Sequence, residues 1–152
     1  MQGQTQGQLN EEGVRQAQQL RERLAGTSID AVVSSDLKRA VDTARIVAGP
    51  HGLEVVTTPL LRERDWGSFT GRYIPDLKGL AFPENVESLD ALKHRAADFL
   101  TFVRNRFPNQ TVLAVGHGII NKAIQAVYYQ KTMPEIPRMT NAECRTLVLD
   151  EK

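Results

Sequence analysis

The sequence has one cysteine, no long apolar run and almost no net charge, and each of these features excludes a class of protein. A single cysteine, Cys144, excludes an internal disulfide framework and is typical of a reducing compartment. We expect this side chain to lie buried in a strand. No run of about 18 apolar residues is present to cross a membrane, and no charged-then-apolar leader opens the chain. We therefore expect a cytoplasmic protein without a membrane partner.

The charge balance points to a small-molecule partner. A net charge of +1, with 24% charged residues, provides neither the basic stripe that nucleic-acid binding requires nor an acidic tail. A chain of 152 residues is long enough to bury one real core, so we expect a single domain over 1–152. The oligomeric state stays open, and a homo-oligomer is compatible with the sequence.

Short apolar strands alternate with helical segments along most of the chain. This alternation predicts an α/β fold with a mostly parallel sheet and helices on both faces. Asn10 is the expected cap of the first helix, and Gly49-Pro50 is the expected stop of the second. The predicted helices span 10–26, 36–48, 87–107 and 118–129, and the predicted strands span 29–33, 53–58, 111–115 and 144–149.

The region from Arg62 to Asn85 has no clean periodicity and is rich in glycine and proline. Loops this long in compact domains tend to be functional or mobile. Its residues Tyr73, Ile74 and Lys78 are candidates for contact with a leaving group, the alternative being a solvated loop.

His117 is the central candidate for a functional residue. It follows the apolar stretch 111–115, which predicts a fully buried strand, and it stands between Gly116 and Gly118 at the expected start of a helix. Ligands of open α/β sheets bind at the carboxyl ends of the strands, and the N–H groups that open a helix favour an anion there. The alternative is a turn whose histidine only bonds a local carbonyl.

Two more polar residues occupy comparable positions. Arg39 lies in the first turns after a buried strand, where a guanidinium can hold a phosphate or carboxylate; the alternative is a solvated helix arginine. Glu63 follows another strand, and Trp66 could raise the pKa of its carboxyl by desolvation, as a proton donor requires. The positive charges of Arg62 and Arg64 would lower the same pKa. The alternative is that Glu63 belongs to an exposed ion-pair cluster. Neither His51 nor His94 belongs to a metal-ligand spacing, so we expect no metal.

Four blocks of sequence resemble the histidine phosphatase superfamily, also called the phosphoglycerate mutase-like family. They occur in the family's order and approximate spacing, and the likeness spans nearly the whole chain. The blocks are Ser34-Ser-Asp-Leu-Lys-Arg-Ala-Val-Asp-Thr-Ala44, Leu61-Arg-Glu63 with Gly67 and Gly71, Glu87-Ser88 with Arg95, and Val115-Gly-His-Gly118.

The resemblance implies a phosphomonoesterase that acts on a small phosphorylated metabolite through a phospho-histidine intermediate, without a cofactor. By position, Arg39 matches a phosphate-binding arginine, Glu63 the acid that protonates the leaving oxygen, and His117 the second histidine. Gly118 matches a backbone phosphate donor. Charge around the transferring phosphoryl group is the main task of a protein in this reaction.

The same resemblance predicts a feature that this sequence lacks. The family's nucleophile lies in an Arg-His-Gly motif at the end of a first strand that would precede Gln2, yet no histidine occurs before His51. We therefore expect an N-terminally incomplete domain without its first strand, inactive and aggregation-prone when expressed alone. The alternatives are a phosphoglycerate mutase-type transfer enzyme, which the short stretch from Asp65 to Glu87 disfavours, and a catalytically inactive phosphate-binding or interaction module.

Overall fold

The computed structural model describes residues 10–67, 86–137, 139 and 143–149. Strands and helices alternate along these residues, as the sequence predicts, and short 3-10 turns follow α2 and β2. Tyr73, Ile74 and Lys78 lie outside the described residues. The elements are α1 (Glu11–Leu24), β1 (Ala31–Ser35), α2 (Lys38–Ala48), β2 (Val55–Thr58), α3 (Leu89–Arg106), β3 (Val112–Val115) and α4 (Gly118–Tyr129).

The three strands form one parallel sheet in the order β2-β1-β3. In the register, Ser35 of β1 faces Thr58 of β2, and Ser34 faces Val115 of β3. The carboxyl ends of all three strands therefore meet at one edge, with β1 in the middle. This arrangement confirms the predicted parallel sheet and determines where the loops after each strand come together.

Helices cover both faces of this sheet because successive residues of a strand point to opposite sides. Val33 packs into a cluster formed by apolar residues of α3 and α4, whereas Val32 packs against Ala44 and Ala48 of α2. Helix α1 lies against α2 on the second face. The α/β fold class predicted from the sequence is confirmed.

Side-chain caps begin two of the helices: Asn10, which the sequence predicts, and Ser88, which it does not, since the predicted helix starts at 87. The Asn10 side-chain oxygen accepts a hydrogen bond from the Gly13 N–H at 2.8 Å, and the Ser88 hydroxyl accepts one from the Ala91 N–H at 3.0 Å. Such caps satisfy amides that have no partner within the helix, and each is worth about 1 kcal/mol. Within the described ranges, every helix is too short or too polar to cross a membrane.

The sequence misplaces two features. The stretch 111–115 predicts a fully buried strand, but β3 lies at an edge of the described sheet, and Ala114 is exposed. Residues 144–149 predict a closing strand with a buried cysteine, but the segment forms no strand and Cys144 is exposed. The Tyr128 hydroxyl bonds both the carbonyl and the N–H of Val148, so a side chain takes the place of a strand neighbour for this segment.

Candidate active site

The loops that follow the three strands bring the candidate residues to one edge of the sheet. Ser35 ends β1, Glu63 follows the 3-10 turn after β2, and His117 directly follows β3. Arg39 lies in the first turn of α2, just beyond β1. The residues come from distant parts of the chain, and the parallel topology is what collects them.

His117 is the N-cap of α4 and is half-buried. Its Nε2 atom lies 2.9 Å from the hydroxyl oxygen of Ser35. Burial lowers the pKa of His117 to about 3, and the positive charges of Arg39 and Arg95 act in the same direction, with Asp36 opposing them. The imidazole is therefore neutral near pH 7, and its ring is tied to the end of β1.

Glu63 places its carboxylate on the first turn of α4. One oxygen accepts the Ile119 N–H at 3.1 Å, and the other accepts the N–H groups of Ile120 and Arg64 at 3.0 Å each. The sequence predicts that the amides opening this helix favour an anion. In the structure, two of these amides donate to the carboxylate of Glu63 itself. The helix dipole stabilises a negative charge in this position, and the acid is held beside His117.

Arg39 is half-buried rather than spread over a solvated face. Burial lowers its pKa, while the nearby charge of Glu63 raises it, and the same guanidinium acts electrostatically on His117. The structure thus brings Arg39, Glu63 and His117 together, as the sequence predicts. An arginine, a neutral imidazole and a carboxyl group around one space suit the recognition of an anion that exchanges a proton.

The two glycines beside His117 differ in how much space a side chain would have at each position. A Cβ atom at Gly116 would lie 2.5 Å from the Asn121 side-chain oxygen, so a larger residue there would collide with the first turn of α4. Gly118 opens that helix, is exposed, and has no heavy atom within 4 Å of a hypothetical Cβ. Gly118 therefore leaves room for a ligand to approach the helix N-terminus, whereas Gly116 serves packing.

Sequence reasoning missed a charged pair that links two of the loops. The Arg62 guanidinium donates to both carboxylate oxygens of Asp36, at 2.6 and 2.7 Å. The hydrogen bond from Arg62 lowers the pKa of Asp36 despite its partial burial. The sequence assigns no role in the site to Asp36, because the local pattern gives no signal for a partner 26 residues away.

Arg95 of α3 holds the segment that carries Glu63. Its guanidinium donates to the carbonyls of Leu60, Arg62 and Glu63 at 3.0, 2.6 and 3.4 Å. It also forms a two-point pair with the Glu87 carboxylate, at 3.0 and 2.8 Å. The resemblance marked Glu87 and Arg95 by position, but their role in supporting the Glu63 loop emerges only in the structure.

The two arginines that flank Glu63 are engaged elsewhere. Arg62 pairs with Asp36, and the buried Arg64 lies 4.5 Å from the centre of the Trp66 ring while donating to the Glu87 carbonyl at 2.8 Å. Trp66 is buried against Val86 and this guanidinium, so it belongs to the packing beneath the loop. In the described part of the chain, no three His, Cys, Asp or Glu side chains form a group that could hold a metal ion.

A family model for the histidine phosphatase superfamily, branch 1, matches residues 1–152. The chain belongs to this superfamily. Metal-independent phosphoserine phosphatase of Arabidopsis thaliana is 36% identical over 141 residues, covering 82% of this chain and 59% of that protein. Phosphoglycerate mutase-like protein 4 of the same plant is 33% identical over 151 residues, covering 88% and 64%. The chain thus spans less than two thirds of these relatives.

Solved structures of the superfamily share the fold. The native structure of a mycobacterial glucosyl-3-phosphoglycerate phosphatase superposes with a TM-score of 0.82 at 27% identity, covering 93% of this chain and 78% of that one. The YhfR structure from Bacillus stearothermophilus superposes with a TM-score of 0.85 at 26% identity, covering 93% and 79%. The predicted phosphoglycerate mutase-like architecture is confirmed.

Proposed function

We propose that this superfamily member serves the hydrolysis of a phosphomonoester of a small metabolite. The observation that carries the proposal is the meeting of Arg39, Glu63 and His117 at the carboxyl ends of three parallel strands. Arg39 carries a positive charge for the phosphoryl oxygens. Gly118, whose Cβ position is unobstructed, lends them its backbone N–H, because Glu63 already occupies the N–H groups of Ile119 and Ile120. The phosphatase relatives support the reaction class.

The chemistry proceeds in two steps through a phospho-histidine. A histidine nitrogen attacks phosphorus, the bond from phosphorus to the ester oxygen breaks, and Glu63 transfers a proton to the leaving oxygen. Water then attacks phosphorus while the deprotonated Glu63 takes a proton from it, and the phosphorus–nitrogen bond breaks, which releases inorganic phosphate and restores the acid. In this scheme Arg39 and His117 stabilise the equatorial oxygens of the phosphoryl group in both steps.

The nucleophile is the one part of this scheme without a candidate in the chain. His51 lies in the 3-10 turn after α2, His94 is exposed on α3, and His117 already has the flanking role. We propose that the nucleophile belongs to a segment with an Arg-His-Gly motif outside these residues. This observation also favours a second candidate function for the chain as it stands, a phosphate-binding module without turnover.

Binding and turnover are tested separately. Calorimetric titration of the chain with inorganic phosphate should show binding that Arg39→Ala weakens by about tenfold or more, as expected for a lost charged hydrogen bond. Arg45→Ala is the matched control, because Arg45 is exposed in the last turn of the same helix. Equal affinity in wild type and Arg39→Ala would contradict the proposed phosphate site.

Turnover is measured on the protein encoded by the complete reading frame that contains these residues. Phosphate release from an alkyl phosphate should fall about 10²–10⁴-fold in Glu63→Gln, since a general acid contributes that much. The loss should be smaller with p-nitrophenyl phosphate, whose leaving group needs no proton. Phosphate binding without release from either ester would favour the binding module. Isomerisation of a phosphoglycerate without phosphate release would favour a mutase.

We further propose a single domain over residues 1–152, working in the cytoplasm on a small phosphorylated metabolite. The net charge of +1 supports a partner other than nucleic acid. A homo-oligomer remains compatible with the sequence, and sedimentation of the purified protein measures that state directly.

A further inference from the structure

Ser35 makes a side-chain contact with His117 that the proposed reaction does not assign. The Ser35 hydroxyl oxygen lies 2.9 Å from His117 Nε2, although the two residues are 82 positions apart in the chain. Ser35 is fully buried at the end of β1. The same hydroxyl oxygen accepts the Leu37 N–H at 3.2 Å. A ring nitrogen and a backbone N–H therefore both contact the buried hydroxyl of Ser35.

The number of protons decides the direction of the contact. A serine hydroxyl has one proton to donate, and a neutral imidazole has one N–H and one lone pair. If Nε2 donated to Ser35, the hydroxyl proton would have no acceptor among the described residues, and a buried donor left without one is costly. If the hydroxyl donates to Nε2, both the Ser35 hydroxyl and the Nε2 lone pair have a partner. The ring proton then lies on Nδ1.

The surroundings favour the neutral ring that this argument requires. Burial and the charges of Arg39 and Arg95 disfavour the imidazolium, while Asp36 favours it weakly. No hydrogen bond to Nδ1 of His117 is formed by the residues that the structure describes, so this nitrogen is available to another partner.

We propose that Ser35 is a positioning residue that fixes His117 in the tautomer with its proton on Nδ1. The inference rests on the proposed function in one respect: Nδ1–H then serves as a hydrogen-bond donor to the bound phosphoryl group. Ser35 itself does not touch the substrate. It ensures that His117 offers a proton rather than a lone pair to an anion.

Nitrogen NMR of the imidazole rings tests the tautomer directly. The chain has three histidines, and His117→Gln identifies the resonances of the ring of interest. In the uniformly ¹⁵N-labelled wild type near neutral pH, we expect the Nδ1 of His117 to show the shift of a protonated nitrogen and Nε2 that of an unprotonated one. The opposite pattern would overturn the proposal, and this measurement requires no variant of Ser35.

Two serine variants separate positioning from packing. In Ser35→Ala, the ring should change to the Nε2–H form that free histidine prefers, or to a mixture of the two tautomers. Ser34→Ala is the matched control, because Ser34 is also fully buried but donates to the Ser35 carbonyl at 2.7 Å. An unchanged tautomer in folded Ser35→Ala would overturn the proposal. If this variant does not fold, the wild-type spectrum decides.

A titration with inorganic phosphate tests this inference separately from the proposed function. Titration should shift the His117 Nδ1 resonance in wild type, and the shift should weaken in Arg39→Ala. Phosphate binding that leaves Nδ1 unaffected would overturn the donor role. Lack of turnover in the complete protein, with the Nδ1–H tautomer present, would instead count against the proposed hydrolysis alone.

Discussion

Among single residues, Glu63 is unusual in having its carboxylate held by backbone groups. Three N–H groups point at its two oxygens, and two of them belong to the first turn of α4. The side chain that the sequence marks as an acid is thus also an N-terminal cap supplied from another loop. Its chemical role and its structural role are carried by the same two oxygens.

Removing the charge of Glu63 should therefore affect stability as well as turnover. We expect Glu63→Gln to lower the free energy of unfolding by about 0.5–2 kcal/mol, the range for a lost cap or helix-dipole partner. Urea denaturation measures the change. Glu12→Gln is the control, because Glu12 makes exposed contacts with Arg15 and Gln16 on α1, and its loss should cost less than about 1 kcal/mol. Equal effects would contradict the capping role.

His117 should make stability depend on pH in a predictable direction. Its pKa is about 3 in the folded protein, against 6.5 for an unperturbed histidine, so the unfolded chain binds more protons between these values. Stability should therefore fall as the pH drops from about 6.5 towards 3, by on the order of 1.4 kcal/mol for each pKa unit of difference.

The comparison with His117→Gln isolates this contribution. Asp36 and Glu87 also have lowered pKa values that cost stability in acid, and both are present in the two proteins. The contribution of Glu87 cancels in the difference, and that of Asp36 cancels apart from its charge interaction with His117. Urea unfolding at several pH values from about 7 downwards should show a steeper loss for wild type. Parallel curves for the two proteins would show that His117 is not held neutral by the fold.

The sequence predicts the identities of single site residues better than their partners. Arg39, Glu63 and His117 are recognisable because each follows a predicted strand and matches a family block. The arginine that pairs with Asp36 and the three carbonyls that Arg95 bonds lie 26 to 35 positions away in the chain. Pairing over such distances depends on how strands and helices pack, and local patterns contain no information about it.

At the scale of elements, α3 acts as a support for the loop after β2. Arg95 donates to three carbonyls of that loop, and the Glu87 carboxylate balances the charge of Arg95. The Arg95 side chain is only 17% exposed and the Glu87 side chain only 12%. Burial alone would raise the pKa of Glu87, but the hydrogen bond from Arg95 and the other contacts of the carboxylate lower it. The loop is thus positioned by a helix that follows it in sequence.

Loss of Arg95 should be among the more costly changes in the molecule. Arg95→Met leaves Glu87 charged and largely buried, which typically costs about 3–5 kcal/mol. The double variant with Glu87→Gln should recover part of that loss. Arg104→Met, exposed in the last turn of the same helix, should change the urea midpoint little. Similar midpoints for Arg95→Met and Arg104→Met would contradict the supporting role.

Helix boundaries follow from local chemistry, and strands follow less well. Asn10 caps α1 where the sequence predicts, because a cap is a contact between residues three apart. Residues 144–149 have the apolar alternation of a strand, yet they form none. A strand requires a neighbour with free backbone groups, and that condition is not visible in the segment itself.

For the molecule as a whole, the alternation of strands and helices was sufficient to predict the fold class. The same pattern gave β3 as a fully buried strand, whereas its neighbour in the described sheet is β1 alone. Apolar periodicity reports the chemistry of a strand but not its place in the order of the sheet. Leu113 and Val115 are accordingly only half-buried.

This edge leads to a prediction about the isolated chain. We expect it to self-associate and to melt over a broad temperature range, because β3 has one neighbour in the described sheet and an apolar edge strand invites pairing. Light scattering and calorimetry measure both properties. Ala114→Lys, which places a charge at an exposed position of β3, should reduce association. A sharp, cooperative melt of a wild-type monomer would contradict the prediction.

The bonds between Asp65 and Glu87 have a consequence for how relatives of this protein can differ. The Glu87 N–H donates to the Asp65 carbonyl at 2.7 Å, and the Asp65 N–H donates to the Glu87 carboxylate at 3.0 Å. Two hydrogen bonds therefore join the described segments on either side of residues 68–85. Closing a longer segment costs little free energy. Relatives can therefore differ in the length of this stretch while the hydrogen bonds between Asp65 and Glu87 keep the Glu63 segment in place.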